Sequence, residues 1–310
     1  MSAAMLRSLA MLLASTAIAS AGVAGDAPVV GGTTAPDGKW PDAVAVLGSK
    51  GSCTGTLVAP DVVITAGHCS EIDPSIVIAN TTDYTSGGQQ VDVASTTAYP
   101  DWQHTYDVSV IVLAHPVTGV TPRKVGTSCT FGELRSAMAV HLVGFGLTAE
   151  DGTGDNTRLN EAMAPVVDPD CSHGDGCHAA VAPGGEFVAG GDGTDSCFGD
   201  SGGPVYFDTE RGTVVIGAVS RGVDGAAMPC GGGGIYVRTD KVIEWIEKTT
   251  GRTIAKDECA VDAANASDNA QLAGGCSTTG GEGDLAGALV VLGLLFAGRT
   301  RSNHRARRRS

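Results

Sequence analysis

Asp195-Ser196-Cys197-Phe198-Gly199-Asp200-Ser201-Gly202-Gly203-Pro204, or DSCFGDSGGP, makes the rest of this chain legible. A serine with Gly199, Gly202 and Gly203 around it sits where side chains are cleared away, so backbone N–H groups can approach a ligand closely. A nucleophilic hydroxyl needs such a turn, with donors aimed at the oxyanion that its attack creates. The hydroxyl alone is inert at neutral pH and needs a base. His68, one of seven histidines, stands in Thr65-Ala66-Gly67-His68-Cys69, after an apolar run from Leu57 to Ile64 that reads as a buried strand. Asp107, a carboxylate able to orient an imidazole, precedes the β-branched run Val108 to Leu113.

The decapeptide, the TAGHC pentapeptide and an aspartate opening a strand resemble the trypsin/chymotrypsin family of serine proteases. The chain order His, Asp, Ser agrees with that family and differs from the α/β-hydrolases and subtilisins. The resemblance covers residues 29–250 and implies an all-β fold: two six-stranded antiparallel β-barrels, a catalytic cleft between them and a C-terminal helix. It implies that Ser201 Oγ attacks a peptide carbonyl, that His68 takes and returns the proton, and that Asp107 holds the imidazole tautomer. By the same resemblance the N–H groups of Gly199 and Ser201 form the oxyanion hole, and Ser220 hydrogen-bonds the triad aspartate. No metal or cofactor is implied.

Asp195, six residues before Ser201, matches the floor of the family's primary pocket, with Gly222 and Gly234 as its bare walls. A carboxylate there favours an Arg or Lys side chain and leaves an apolar one facing a desolvated charge. Two features depart from the family. Its tryptophan between the serine and the wall glycine is Arg221 here, and the run Gly225 to Gly234 contains four consecutive glycines. Val29-Val30-Gly31-Gly32, followed by Trp40-Pro41, resembles the mature N-terminus of these enzymes. That implies a zymogen in which the freed α-amino group of Val29 pairs with Asp200. The preceding residue is Pro28, so either another protease makes the cut or the enzyme uses a different solution.

Residues 1–21 carry Arg7, the apolar stretch Leu9–Ile18 and the small residues Ala19-Ser20-Ala21, the pattern of a signal peptide. Residues 22–28 are then a short propeptide. Nine cysteines suit an oxidising compartment. The resemblance pairs Cys53 with Cys69 and Cys197 with Cys230. Cys171 and Cys177 are close enough to close a small loop, and Cys129 with Cys259 is the remaining pair. Short β-branched runs at 42–48, 55–65, 76–79, 108–114, 138–145, 213–220 and 235–238 read as strands, and Asp240–Lys248 as an amphipathic turn or two of helix behind an acidic cap.

Residues 251–284, rich in Ala, Asp, Gly, Ser and Thr, read as a flexible linker. The segment 285–310 joins LAGALVVLGLLFA to six arginines and is expected to form an apolar tail helix, short for a membrane span. With Gly274-Gly275-Cys276 ahead of it, the tail resembles the C-terminal sorting signals of bacterial surface proteins of the myxobacterial MYXO-CTERM type. That implies processing near Cys276 and display on the surface of a Gram-negative cell; a plain tail anchor is the alternative. The formal net charge is −14, and six of the 20 Lys and Arg lie in that final cluster, so the body is strongly acidic. Such a sign disfavours nucleic acid. The expected partners are protein or peptide substrates, met by a monomer. Two functions remain open: an endopeptidase cutting after Arg or Lys, and a non-catalytic binding or adhesion protein on the same fold.

Overall fold

Pro60 and Asp61 divide the apolar run 57–64 into two strands, because proline has no N–H for a ladder and presets a turn. The expected single strand over 55–65 is therefore a hairpin. The computed structural model describes residues 29–174 and 176–258. The signal peptide and propeptide, Cys259 and its pairing with Cys129, the linker beyond residue 258, Cys276 and the apolar tail lie outside the described residues.

The chain runs β1 (Thr33–Thr34), β2 (Ala43–Gly48), β3 (Gly51–Ala59), β4 (Val62–Thr65), β5 (Pro74–Ala79), β6 (Gln89–Ala98), β7 (Ser109–Leu113), α1 (Ser128–Glu133), β8 (Ala139–Gly144), β9 (Asn160–Asp168), β10 (Glu186–Ala189), β11 (Pro204–Thr209), β12 (Gly212–Gly222), β13 (Gly234–Arg238) and α2 (Ile243–Thr250). Strands β2-β3-β4-β7-β6-β5 close the first barrel. In the second sheet, β8 pairs with both β11 and β9, so β8-β9-β10-β13-β12-β11 also closes, and β1 adds to the edge of β9. All the pairings between named strands are antiparallel. The expectation of two six-stranded barrels holds.

Each barrel has its own apolar core. Val44, Leu57, Val63, Val77 and Ile111 fill the first, and Val140, Leu142, Phe187, Val205 and Ile216 the second. Fully burying one such side chain stabilises the fold by about 1.5–3 kcal/mol. A third cluster spans the two barrels and α2: Ala43, Ile64, Phe145, Tyr206, Val237 and Ile246. Within it, buried Asp42 accepts two bonds from the Arg123 guanidinium and a third from Tyr206 Oη at 2.7 Å. A charge removed from water is tolerated when it is paired and hydrogen-bonded in this way.

The helix forms where its periodicity predicts, with Ile243 and Ile246 buried. Its acidic cap does not. The Asp240 carboxylate is taken by Arg238, at 3.1 and 3.0 Å, and α2 starts at Val242 without a side-chain cap. Gly251, at φ +67°, closes the helix and donates to the Glu247 carbonyl at 2.8 Å. Among the described residues no helix is long and apolar enough to cross a membrane.

Candidate active site

Two threonines of the first barrel, Thr54 on β3 and Thr65 on β4, hold the serine turn of the second. The Thr54 N–H on β3 donates to the Ser201 carbonyl at 2.9 Å. Its hydroxyl donates to the Gly199 carbonyl at 2.8 Å and accepts from the Phe145 N–H at 3.0 Å. The Thr65 hydroxyl, at the end of β4, donates to the Thr54 carbonyl at 2.7 Å. Gly202, at φ +77°, lies so close to Thr65 and Ala66 that a methyl group there would collide with the Thr65 hydroxyl and the Ala66 amide. A glycine at 202 is thus what lets the serine turn seat against the turn that carries the histidine.

His68 opens a short 3₁₀ turn, His68–Ile72, directly after β4. Its backbone N–H donates to Asp107 Oδ1 at 2.9 Å, and its Nδ1 lies 2.9 Å from Asp107 Oδ2. A carboxylate only accepts, so Nδ1 carries the proton and Nε2 is left with a lone pair. The Ser220 hydroxyl donates to the same Oδ2 at 2.7 Å. Asp107 is 4 % exposed. Burial alone would raise its carboxyl; the His68 hydrogen bond and charge, the Ser220 hydroxyl and the His68 amide outweigh that and hold it below the ordinary value. The Trp102 ring lies 6.2 Å from the imidazole, centroid to centroid. A methyl at Gly67 would sit 2.8 Å from Trp102 Cγ and 2.9 Å from Asp107 Oδ1, so nothing larger fits between them.

The His68 imidazole and Ser201 line one cavity of about 390 Å³, together with Ser196, Phe198, Ser220 and Gly222. Gly199 stands at φ +100°, a backbone region that side chains avoid. An imidazole with a free Nε2, a serine in the same cavity and a bare turn beside it can carry out general-base-assisted attack on a carbonyl.

Asp195 and Gly234 lie outside the lining of this cavity, although Asp195 is only 2 % exposed. The Asp195 carboxylate accepts N–H bonds from Gly231 at 3.2 Å and Gly233 at 3.1 Å, so the glycine run wraps it. Burial pushes its carboxyl up to about 6 against those bonds. Gly234 stands against it: a methyl there would be 3.0 Å from Asp195 Oδ1.

Asp200 is buried and accepts N–H bonds from Gly146 at 2.7 Å and Cys197 at 2.8 Å. Burial pushes its carboxyl up to about 7, and the neighbouring Asp195 charge adds to that. Among the described residues no cation pairs with it. Val29, in the core of the second barrel, is 1 % exposed and has φ +32°. The Cys53–Cys69, Cys171–Cys177 and Cys197–Cys230 disulfides are formed.

Residues not foreseen from the sequence also shape the site. Glu186, fully buried on β10, receives both terminal nitrogens of Arg221 at 2.8 and 3.0 Å. The only signal for it was an acid opening the apolar run EFVA. Phe198 is 61 % exposed at the cavity rim.

The trypsin family model matches residues 29–246. Human serine protease 56 is 32 % identical over 241 residues, covering 71 % of this chain and 38 % of its own. The mouse protein of the same name is 30 % identical over 242 residues, with the same coverage. Pig coagulation factor XII is 28 % identical over 249 residues, covering 72 % of this chain and 39 % of its own. The chain thus spans about two-fifths of the length of each of these relatives. Matched by the family model over most of its length and built on two closed barrels, the chain belongs to the trypsin family of serine proteases.

Proposed function

We propose that the chain hydrolyses peptide bonds after Arg or Lys through an acyl-enzyme on Ser201. His68 acts as base and then acid, Asp107 holds it, and the N–H groups of Gly199 and Ser201 receive the oxyanion. The observation that carries this reading is the 2.9 Å contact of His68 Nδ1 with a buried Asp107, in a cavity that Ser201 also lines. It leaves Nε2 as the nitrogen available to the hydroxyl. A missing oxyanion donor would raise the barrier by about 3–4 kcal/mol.

The preference for a cationic side chain rests on Asp195, a buried carboxylate beside the side-chain-free Gly234. Its two N–H bonds offset part of the desolvation cost, and an incoming guanidinium or ammonium would supply the missing counter-charge.

Activation by a cut before Val29 is part of the same proposal. A β-branched residue at φ +32° is strained, by roughly 1–3 kcal/mol. Cutting the bond before Val29 frees that torsion and creates a cation for Asp200. Export belongs to the proposal too, supported by three disulfides, as does display at the cell surface through the tail.

The test is turnover of a small fluorogenic Arg amide by protein cut before Val29. Activity that disappears in Ser201→Ala is expected. No Ser201-dependent turnover, with the N-terminus verified, would favour a binding module on the protease fold.

A further inference from the structure

Arg221, on β12, has no N–H to spare. Nε donates to the Gly176 carbonyl at 3.3 Å, and Nη2 to that carbonyl at 2.9 Å and to Glu186 Oε2 at 3.0 Å. Nη1 donates to Glu186 Oε1 at 2.8 Å and to Ser220 Oγ at 2.9 Å. A guanidinium has five N–H groups, and these five bonds use all of them. The anchor has ties on its other side as well. Glu186 also accepts the His178 N–H at 2.7 Å, and Gly176 belongs to the loop closed by Cys171–Cys177.

The bond to Ser220 has a consequence one step on. Arginine only donates, so the Ser220 oxygen must accept from it, and the single hydroxyl proton is left for Asp107 Oδ2, 2.7 Å away. That carboxylate oxygen is the one that faces His68 Nδ1. The continuous line Glu186, Arg221, Ser220, Asp107, His68 therefore fixes the direction of every hydrogen bond behind the imidazole. We infer that Arg221, clamped by Glu186, is a positioning residue that locks the Ser220 hydroxyl onto Asp107, and that it does not read acidic side chains of the substrate although its side chain lines the cavity. The first half rests on the protease reading above. The second follows from the exhausted donors.

The experiment compares the chain cut before Val29, otherwise intact, with Arg221→Met, Ser220→Ala and the double variant. Active sites are counted by a burst titrant, so a partly folded sample does not mimic a slow one. Arg221→Met is expected to lower kcat at least about tenfold with KM little changed, since small misplacements of catalytic groups are costly. In the Ser220→Ala background the same change is expected to do almost nothing further. A purely structural brace would instead give additive losses, which would overturn the inference. Substrates with Glu or Gln just upstream of the cleaved residue are expected to keep the same relative rates in the parent and in Arg221→Met. A selective loss on the Glu substrate would overturn the second half.

If Arg221→Met does not fold, Arg221→Lys retains the charge without the five-donor fork and is expected to show the same kcat loss; parental kcat would overturn the inference. A readout independent of turnover is the low-field proton resonance of His68 Nδ1–H in the Ser201→Ala chain. It is expected to be present there and lost or moved upfield once Arg221→Met is added. An unchanged resonance sinks the inference whatever the activity shows. A parent without Ser201-dependent turnover sinks the protease reading instead.

Discussion

The Thr54 hydroxyl, in the first barrel, donates to the Gly199 carbonyl of the second at 2.8 Å, while its own N–H donates to the Ser201 carbonyl at 2.9 Å. One residue thus fixes the Gly199–Asp200 and Ser201–Gly202 peptide planes, which bracket the Asp200–Ser201 step of the serine turn. Thr54 is fully buried, so no water can take over these bonds.

Thr54→Val keeps the shape and removes the hydroxyl. It leaves the Gly199 carbonyl and the Phe145 N–H without this partner. A loss of about 1–3 kcal/mol per unsatisfied group is expected, together with a fall in kcat larger than any change in KM. Urea unfolding and steady-state kinetics measure the two effects. Parental values in both would mean that the serine turn does not need this tether.

The uncut chain should lose stability as pH rises. Asp200 and Asp195 have folded values of about 7 and 6 against 3.8 for the free carboxyl, so between these limits the folded state binds more protons than the unfolded one. Asp200 alone contributes a loss of about 4 kcal/mol between pH 4 and 8. Asp200→Asn is expected to be less stable at pH 4 but to show a flatter slope. In protein cut before Val29 the new α-amino cation is expected to offset much of this loss near pH 7, and the benefit should fade as that group deprotonates near pH 8. Unfolding curves of the uncut Ser201→Ala chain, its Asp200→Asn variant and the cut Ser201→Ala chain across this range test it; equal slopes in all three proteins would contradict the pairing.

Asp195→Ser should reverse the substrate preference. Removing the carboxylate deprives a bound Arg or Lys side chain of its buried partner, a loss of about 3–5 kcal/mol, or roughly 10²–10⁴-fold in relative kcat/KM. Matched Arg and Phe amides report it. Unchanged discrimination would show that Asp195, wrapped by the Gly231 and Gly233 amides, does not select the substrate.

For the tail, mass spectrometry of the cell-associated protein is expected to find a new end near Gly274-Gly275-Cys276 and no peptide from residues 299–310. An intact C-terminus would rule out processing.

Sequence patterns disclosed the site better than the sheet that carries it. DSCFGDSGGP and TAGHC are dense in chemically constrained positions: Gly202 and Gly67 sit where a single methyl would collide with the opposite turn. Strands β7 and β12, buried in continuous runs rich in β-branched residues, were legible because such runs stand out from the turn-rich segments around them. Strands β6, β9, β10 and β11 were not. In β6 the stretch QQVDVASTTA is mostly exposed and polar, so alternation gives little contrast. In β9, Pro165 argues against a strand, yet the residues alternate buried and exposed and pair on both sides. Pro60, by contrast, was passed over, and one expected strand became two. The Glu186–Arg221 clamp was hidden because its partners are 35 residues apart and meet only when the second barrel closes. The Gly231 and Gly233 bonds to Asp195 depend on the path of a loop, which no periodicity reports.

The acyl-enzyme itself is the most direct object to measure. Protein cut before Val29 is mixed with an activated ester of a guanidino-aryl acid, and released alcohol and protein mass are followed together. The account predicts a burst of one alcohol per chain, the acyl mass on the peptide holding Ser201, and neither in His68→Ala. Absence of the burst, or label on any other residue, would contradict it.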